Sequence, residues 1–261
     1  YLHNNRHSFP TRRSSDLGAV PARADPRDAL VARDGLTLHD LPQEASVGTG
    51  SPRRAAQLLA VRPDLTIVDI RGNVDTRLGR VKGLGHYAKG GGKEDLDAVV
   101  LAASGLARLG HSGTVTEFLD PSVVLPAPAQ GALAVECRTA DSRHGKLAKA
   151  LARIDDRRTR LAATAERAVL SHLEAGCAAP IGALAQLKPV SGSSPQVLTL
   201  DVVVATVDGS RIIREQVSVE LPAEVDSALA AAHTLGVTAA EELLDDGAAD
   251  VADLKASGST R

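Results

Sequence analysis

Five arginines and two cysteines carry most of the chemistry this sequence offers. Arg53 and Arg54 stand side by side after Ser51-Pro52. Arg71 opens Arg71-Gly72-Asn73, Arg77 follows in the same stretch, and Arg108 ends Gly105-Leu106-Ala107-Arg108. A guanidinium is a planar fork of N–H donors that matches carboxylate or phosphate oxygens two at a time. Taken as a set, these residues call for a ligand with several negative groups. Their spacing leaves phosphate, nucleotide and polycarboxylate open, and any one of them alone also reads as a surface salt-bridge partner. Cys177, directly after Gly176, is a soft nucleophile in its thiolate form; inert packing is the competing reading of a lone cysteine. Cys137 follows small apolar residues and reads as packing.

The elements around these residues are legible. Ser46 to Gly48 is a short strand. Ser51 is a good N-cap and Pro52 suits the first helical position, so a helix starts there and Pro63 stops it. Leu65 to Ile70 is a second strand, and Asn73 caps a helix through Leu78 and Val81. Lys82 to Asp95 reads as a flexible glycine-rich loop. Ala98 to Ala103 is an apolar strand leading into a short helix that ends at Leu109. Alternation on this spacing predicts parallel strands with crossover helices. The arginines then fall at strand exits, where open α/β sheets bind ligands. Arg53 and Arg54 lie at a helix N-terminus, whose dipole repels cations, so an anion should compensate them there.

The remaining chain is less regular. Asp25-Pro26-Arg27-Asp28 is a turn before Ala29-Leu30-Val31. Pro121 to Pro128 is an extended connector. Ala132 to Cys137 is a strand, followed by a helix through about Arg153. Asp155 to Ala175 reads as a long helix ended by Gly176, with Asp155-Asp156 as solvated helix-end charges. A loop at 189–195 precedes two strands, Leu198 to Thr206 and Arg211 to Glu220, joined at the hairpin signal Asp208-Gly209. Ala223 to Asp246 is helical and interrupted or kinked near Gly236. Residues 155–261 form a small α+β domain.

The 261 residues are 43% hydrophobic and 24% charged, as in a globular protein. A formal charge of −2 and four aromatic residues argue against a nucleic-acid surface, and no apolar run is long enough for a membrane helix. Two cysteines make no disulfide framework, which favours a reducing, cytoplasmic setting. The remaining histidines form no metal-ligand spacing. Tyr1 to Asp16 has no apolar period and reads as an unrelated or artefactual segment. With no Met in the sequence, the chain is expected to be incomplete.

Four motifs occur in order: Val47-Gly48-Thr49-Gly50-Ser51-Pro52-Arg53-Arg54, Arg71-Gly72-Asn73-Val74-Asp75-Thr76-Arg77-Leu78, Pro126-Ala127-Pro128-Ala129-Gln130-Gly131 and Glu174-Ala175-Gly176-Cys177. Together they resemble the porphobilinogen deaminase family, also called hydroxymethylbilane synthases, from about Leu17 to Gly247. The resemblance implies an α/β fold: a periplasmic-binding-protein-like parallel-sheet lobe and a small C-terminal α+β domain. It implies a transferase of tetrapyrrole (heme) biosynthesis that joins four porphobilinogen molecules into hydroxymethylbilane and releases ammonia. It implies a dipyrromethane cofactor in thioether linkage to Cys177. Ser51, Arg53, Arg54, Arg71, Arg77, Arg108 and Gln130 match the family's cofactor- and substrate-binding positions.

One departure stands out. The family's His-Ser-x-Lys-Asp segment, whose aspartate is the catalytic carboxylate, is not found; His7-Ser8 and His111-Ser112 lack the Lys-Asp. Most of the first domain is therefore expected to be missing, and the chain as written to be inactive. The expected division is 1–16 unrelated, 17–130 the α/β lobe, 131–154 a return segment of the missing domain, and 155–261 the cofactor-carrying domain. The strand at 132–137 should then find almost no sheet to join. Expected partners are porphobilinogen and the growing oligopyrrole, with no nucleic acid, membrane or metal, and a monomeric state at full length. A polyanion-binding lobe of periplasmic or effector type without catalysis is the competing reading; Cys177 in its Glu-x-Gly-Cys setting separates the two.

Overall fold

The computed structural model describes residues 15–139, 145–174, 179–188 and 195–252, and their contacts divide the chain into two units. In chain order the first half holds β1 (Ser15–Ala19), β2 (Asp28–Ala32), β3 (Ser46–Gly48), α1 (Pro52–Val61), β4 (Thr66–Val68), α2 (Val74–Leu78), β5 (Ala98–Ala102), α3 (Ala103–Arg108) and β6 (Glu117–Phe118). The second half holds β7 (Val135–Arg138), α4 (Gly145–Ile154), α5 (Arg157–His172), β8 (Ile181–Leu187), β9 (Val197–Ala205), β10 (Ile212–Glu220), α6 (Val225–Asp245) and α7 (Ala248–Val251). Among the described residues, no helix is long and apolar enough to cross a membrane.

The larger unit comprises 24–131 and 161–261. Its lobe is a five-stranded sheet in the order β4-β3-β5-β2-β6. As the alternation predicts, β3 is parallel to both β4 and β5. β2 runs against β5 and β6, with Asp28 paired to Ala102 and Ala32 to Ala98. The sheet is apolar on both faces. Leu30, Val47, Leu58 and Val100 pack on one side; Ala29, Val31, Leu78, Val99 and Leu106 pack on the other. This double cover explains the unbroken apolar run of β5. Each fully buried Leu or Val contributes about 1.5–3 kcal/mol. Ser51 Oγ accepts from Arg54 N at 3.5 Å and Asn73 Oδ1 from Thr76 N at 2.8 Å, so both expected caps are in place.

The expected flexible loop after α2 is held by its own side chain. Glu94 Oε1 accepts from Gly83 N at 2.9 Å and from Gly85 N at 3.0 Å, around a 3-10 turn at Gly85–Tyr87.

The C-terminal part is an antiparallel sheet, β10-β9-β8, covered by α5 and α6. Its core includes Leu161, Val169, Leu200, Leu235 and Leu243. The hairpin turns where Asp208-Gly209 predicts, with Gly209 at φ +71°. β8 has no counterpart in the sequence reading. Its two faces are both covered: Ile181, Ala183, Ala185 and Leu187 join the core, while Leu184 packs with Leu125 and Val203. A strand buried on both faces shows no alternation to read. The expected interruption of the last helix is corrected: α6 is continuous over Val225–Asp245. Gly236 serves packing, because a Cβ there would run into the carbonyl oxygen of Ala165 on α5.

The smaller unit comprises 1–23 and 132–160. Here the strand expected to lack a sheet has a partner. β7 pairs antiparallel with β1, with Asp16 opposite Cys137 and Leu17 opposite Glu136. Ser15 and Asp16, the end of the segment set apart by composition, belong to that strand. Leu151 of α4 is buried and packs over Gly18 beside Cys137. Asp155 and Asp156 stand at a helix end as expected, but they are half-buried and partnered rather than solvated. Asp155 Oδ1 accepts from Val20 N at 2.7 Å, and Asp156 Oδ1 accepts from Thr159 N at 2.7 Å at the start of α5.

Candidate functional site

The reversed direction of β2 sets the centre of the site. Because β2 opposes its parallel neighbours, its first residue lies at their carboxyl ends, beside the N-terminus of α1. That residue is Asp28, which is 0% exposed. Arg54 reaches it with Nε at 2.9 Å and Nη2 at 2.7 Å from Oδ1. Arg53 Nη2 lies 2.8 Å from Oδ2. Gln130 Nε2 donates to the same Oδ1 at 2.9 Å and to Pro26 O at 2.7 Å. The guanidiniums are completed by carbonyls: Arg53 Nη1 donates to Leu125 O at 2.5 Å and Arg54 Nη1 to Val100 O at 3.2 Å.

Three expected site residues, Arg53, Arg54 and Gln130, therefore converge on a carboxylate that the sequence reading placed in a turn. The anion expected to compensate the two arginines at this helix end is the protein's own Asp28. Burial works to raise the Asp28 pKa, and the charges of Arg54 and Arg53, with hydrogen bonds from Arg54 and Gln130, hold it below the usual carboxylate range. Burial lowers the Arg53 pKa, with Asp28 opposing and Arg54 adding to the fall. A signal was present: an aspartate abutting an apolar run needs a partner if the strand is buried.

The other arginines are differently placed. The side chain of Arg71 is 88% exposed, with Nε 3.5 Å from Asp69 Oδ2. Arg77 is half-buried and donates from Nε to Gly72 O at 2.9 Å. Gly72 permits this turn with φ +110°. Burial lowers the Arg77 pKa, and the charges of Arg54 and Arg71 lower it further against Asp69. Ser51 lies next to Arg71's strand exit: a Cβ on Gly50 would sit 2.6 Å from Ile70 O. Arg108 ends α3 in solvent. Ser51, Arg71 and Arg77 thus make a patch where positive charge exceeds its local compensation, above a buried arginine pair that is already neutralised in part. Such a patch suits a group carrying several carboxylates. Cys177 lies outside the described residues. Among the described residues, no group of three His, Cys, Asp or Glu side chains is placed to hold a metal ion.

Comparison with known proteins bears on the family. The family model for the dipyrromethane cofactor-binding domain of porphobilinogen deaminase matches residues 8–146, and the model for its C-terminal domain matches residues 160–245. A porphobilinogen deaminase of Cutibacterium acnes is 93% identical over 260 residues, covering 98% of this chain and 78% of that protein. Those of Micrococcus luteus and Mycobacterium avium are each 50% identical, over 266 and 238 residues; the alignments cover 89% and 90% of this chain and 70% and 69% of the relatives. The first match starts at residue 8, inside the segment set apart by composition. The expectations that the chain lacks most of a domain and is inactive find no support in these alignments. The chain belongs to the porphobilinogen deaminase family.

Proposed function

We propose that the protein performs its family's reaction with the residues gathered at the carboxyl edge of the lobe sheet. The reaction is a transferase step of tetrapyrrole biosynthesis: porphobilinogen units are joined into hydroxymethylbilane and ammonia is released. The observation that carries the site assignment is the under-compensated patch of Arg71 and Arg77 beside Ser51, set on the Asp28-anchored pair. Each pyrrole bears acetate and propionate groups, so cofactor and product are polycarboxylates of the kind this patch fits. Arg71, Arg77 and Arg108 would hold carboxylates directly. Ser51 would donate its hydroxyl beside them. Arg53, Arg54 and Gln130 would fix the floor, the two arginines supplying its residual positive charge. Dipyrromethane, attached through Cys177, supplies an electron-rich pyrrole end to which units are added. The lobe is of periplasmic-binding type in this reading, the enzyme is a cytoplasmic monomer, and residues 155–261 carry the cofactor.

The test is intact-mass spectrometry of the protein and its Cys177→Ser and Cys137→Ser variants, with turnover of porphobilinogen measured alongside. The adduct should vanish in Cys177→Ser and persist in Cys137→Ser. Persistence in the first, or loss only in the second, overturns the attachment; absence of turnover in the adduct-bearing protein overturns the activity.

A further inference from the structure

A buried carboxylate outside the arginine site bears on it through the backbone. Glu166 of α5 is 0% exposed. Its Oε2 accepts from Ala129 N at 2.5 Å, and its Oε1 accepts from Ala185 N of β8 at 2.8 Å. Ala129 has φ +61°, a left-handed conformation that disfavours a residue with a Cβ. The turn closes on either side of it. Gln130 N donates to Ala127 O at 2.9 Å, and Ala24 N donates to Gly131 O at 3.1 Å. Gly131, at φ +83°, admits this approach because a Cβ would lie 2.8 Å from Ala24 O. The strained turn has one consequence for the site: it aims Gln130 Nε2 at Pro26 O and Asp28 Oδ1.

We propose that Glu166 is a positioning residue for the reaction, holding Ala129 left-handed so that Gln130 keeps Asp28, and with it Arg53 and Arg54, in register. The proposal rests on the functional reading above. Physically, a charged acceptor anchors a buried N–H more firmly than a neutral one. Without it, Ala129 N–H loses its partner and the turn loses its reason to stay left-handed. The same helix, α5, carries Leu161 and Val169 into the C-terminal core, so one carboxylate ties that core helix to the turn that braces the arginines.

The experiment is a double-mutant cycle in the complete protein, using Glu166→Gln, Gln130→Ala and the pair together. Glutamine keeps the shape but leaves one of the two N–H groups without an acceptor. Each single variant should lower porphobilinogen turnover, per molecule of folded adduct-bearing protein, by about tenfold. The double variant should be no worse than the weaker single variant by more than about twofold. Multiplying losses overturn the route through Gln130. Lost thermal stability with unchanged turnover overturns the positioning role and leaves Glu166 structural. Should Glu166→Gln fail to fold, Glu166→Asp replaces it, keeping the charge but shortening the reach. Amide hydrogen exchange separates this proposal from the functional reading, since it needs no activity. Amides of 129–131 should exchange faster in the Glu166 variant while those of β3 are unchanged. Unchanged exchange at 129–131 overturns the proposal even if the enzyme is active, and faster exchange there supports the bracing even if turnover is never seen.

Discussion

Arg53 and Arg54 occupy the same kind of position as Arg71, at the exit of a parallel strand, yet they live in different surroundings. The first two are 4% and 8% exposed and share the carboxylate of Asp28. The side chain of Arg71 is 88% exposed beside a loosely placed Asp69. The difference is which strand supplies a counter-charge. β2 runs backward and delivers Asp28 to the end of α1; β4 is the sheet edge, and among the described residues no strand pairs on its outer side. Position in the fold thus nominates an arginine for ligand binding, and the counter-ion decides how much of its charge remains to offer.

The largest expected effect comes from removing the counter-ion. Asp28→Asn leaves two guanidiniums buried without a full negative partner and should cost about 3–5 kcal/mol of stability. Arg71→Ala should change stability by no more than about 0.5 kcal/mol. Urea unfolding of both variants measures the contrast, and a loss below about 1 kcal/mol for Asp28→Asn would erase it.

Lysine substitutions sharpen the same contrast. Arg53→Lys or Arg54→Lys keeps a charge but offers one nitrogen where the guanidinium reaches Asp28 and a backbone carbonyl from separate nitrogens, so each should lose about 1–3 kcal/mol. Arg71→Lys should leave unfolding unchanged and lower turnover of porphobilinogen. If the buried variants lose only activity, or Arg71→Lys loses only stability, the two roles have been exchanged.

Acid gives a smaller signature. The folded-state pKa of Asp28 lies below its unfolded value of about 3.9. Its contribution is therefore present above that unfolded value and is lost as pH falls through the folded one. The stability gap between the protein and Asp28→Asn should be flat from about pH 5 to 8 and narrow below about pH 4. A gap that instead widens on acidification would mean that Asp28 is protonated in the native state. Salt gives the smallest effect: raising it toward 1 M shortens the screening length to about 3 Å. KM for porphobilinogen should rise while that stability gap stays constant. A salt-insensitive KM would deny Arg71 its direct contact.

Much of this was legible from the residues. Ser51 and Asn73 act as caps because cap chemistry is local, and Asp208-Gly209 turns because only a few residues tolerate a positive φ. The order of motifs carried the family, and with it the roles expected of Arg71, Arg77 and Gln130. What escaped was set by distant partners. The direction of β2 depends on pairing with β5, roughly 70 residues on, so Asp28 looked like part of a turn. β8 lost its periodicity by being buried twice. Gly236 signalled a break because, within one helix, a glycine looks the same whether it bends the chain or lets Ala165 come close. Glu166 had no motif at all; the backbone N–H groups it accepts from belong to Ala129 and to β8, far from it in sequence.

The hairpin tip at Gly209 rests on the back of α1, where a Cβ would strike the carbonyl oxygen of Ala56. This contact imposes an order on biosynthesis. Gly209 leaves the ribosome 209 − 56 = 153 residues after Ala56. At ~5–20 residues per second that is a wait of about 8–30 s. Throughout it, the face of α1 destined for the C-terminal domain stands in water. Gln57 lies on this helix, 1% exposed in the finished fold and bonded there to Leu125 and to Arg214 of β10. An amide at that position stays soluble on the nascent lobe and still finds hydrogen bonds when the late-arriving hairpin closes over it.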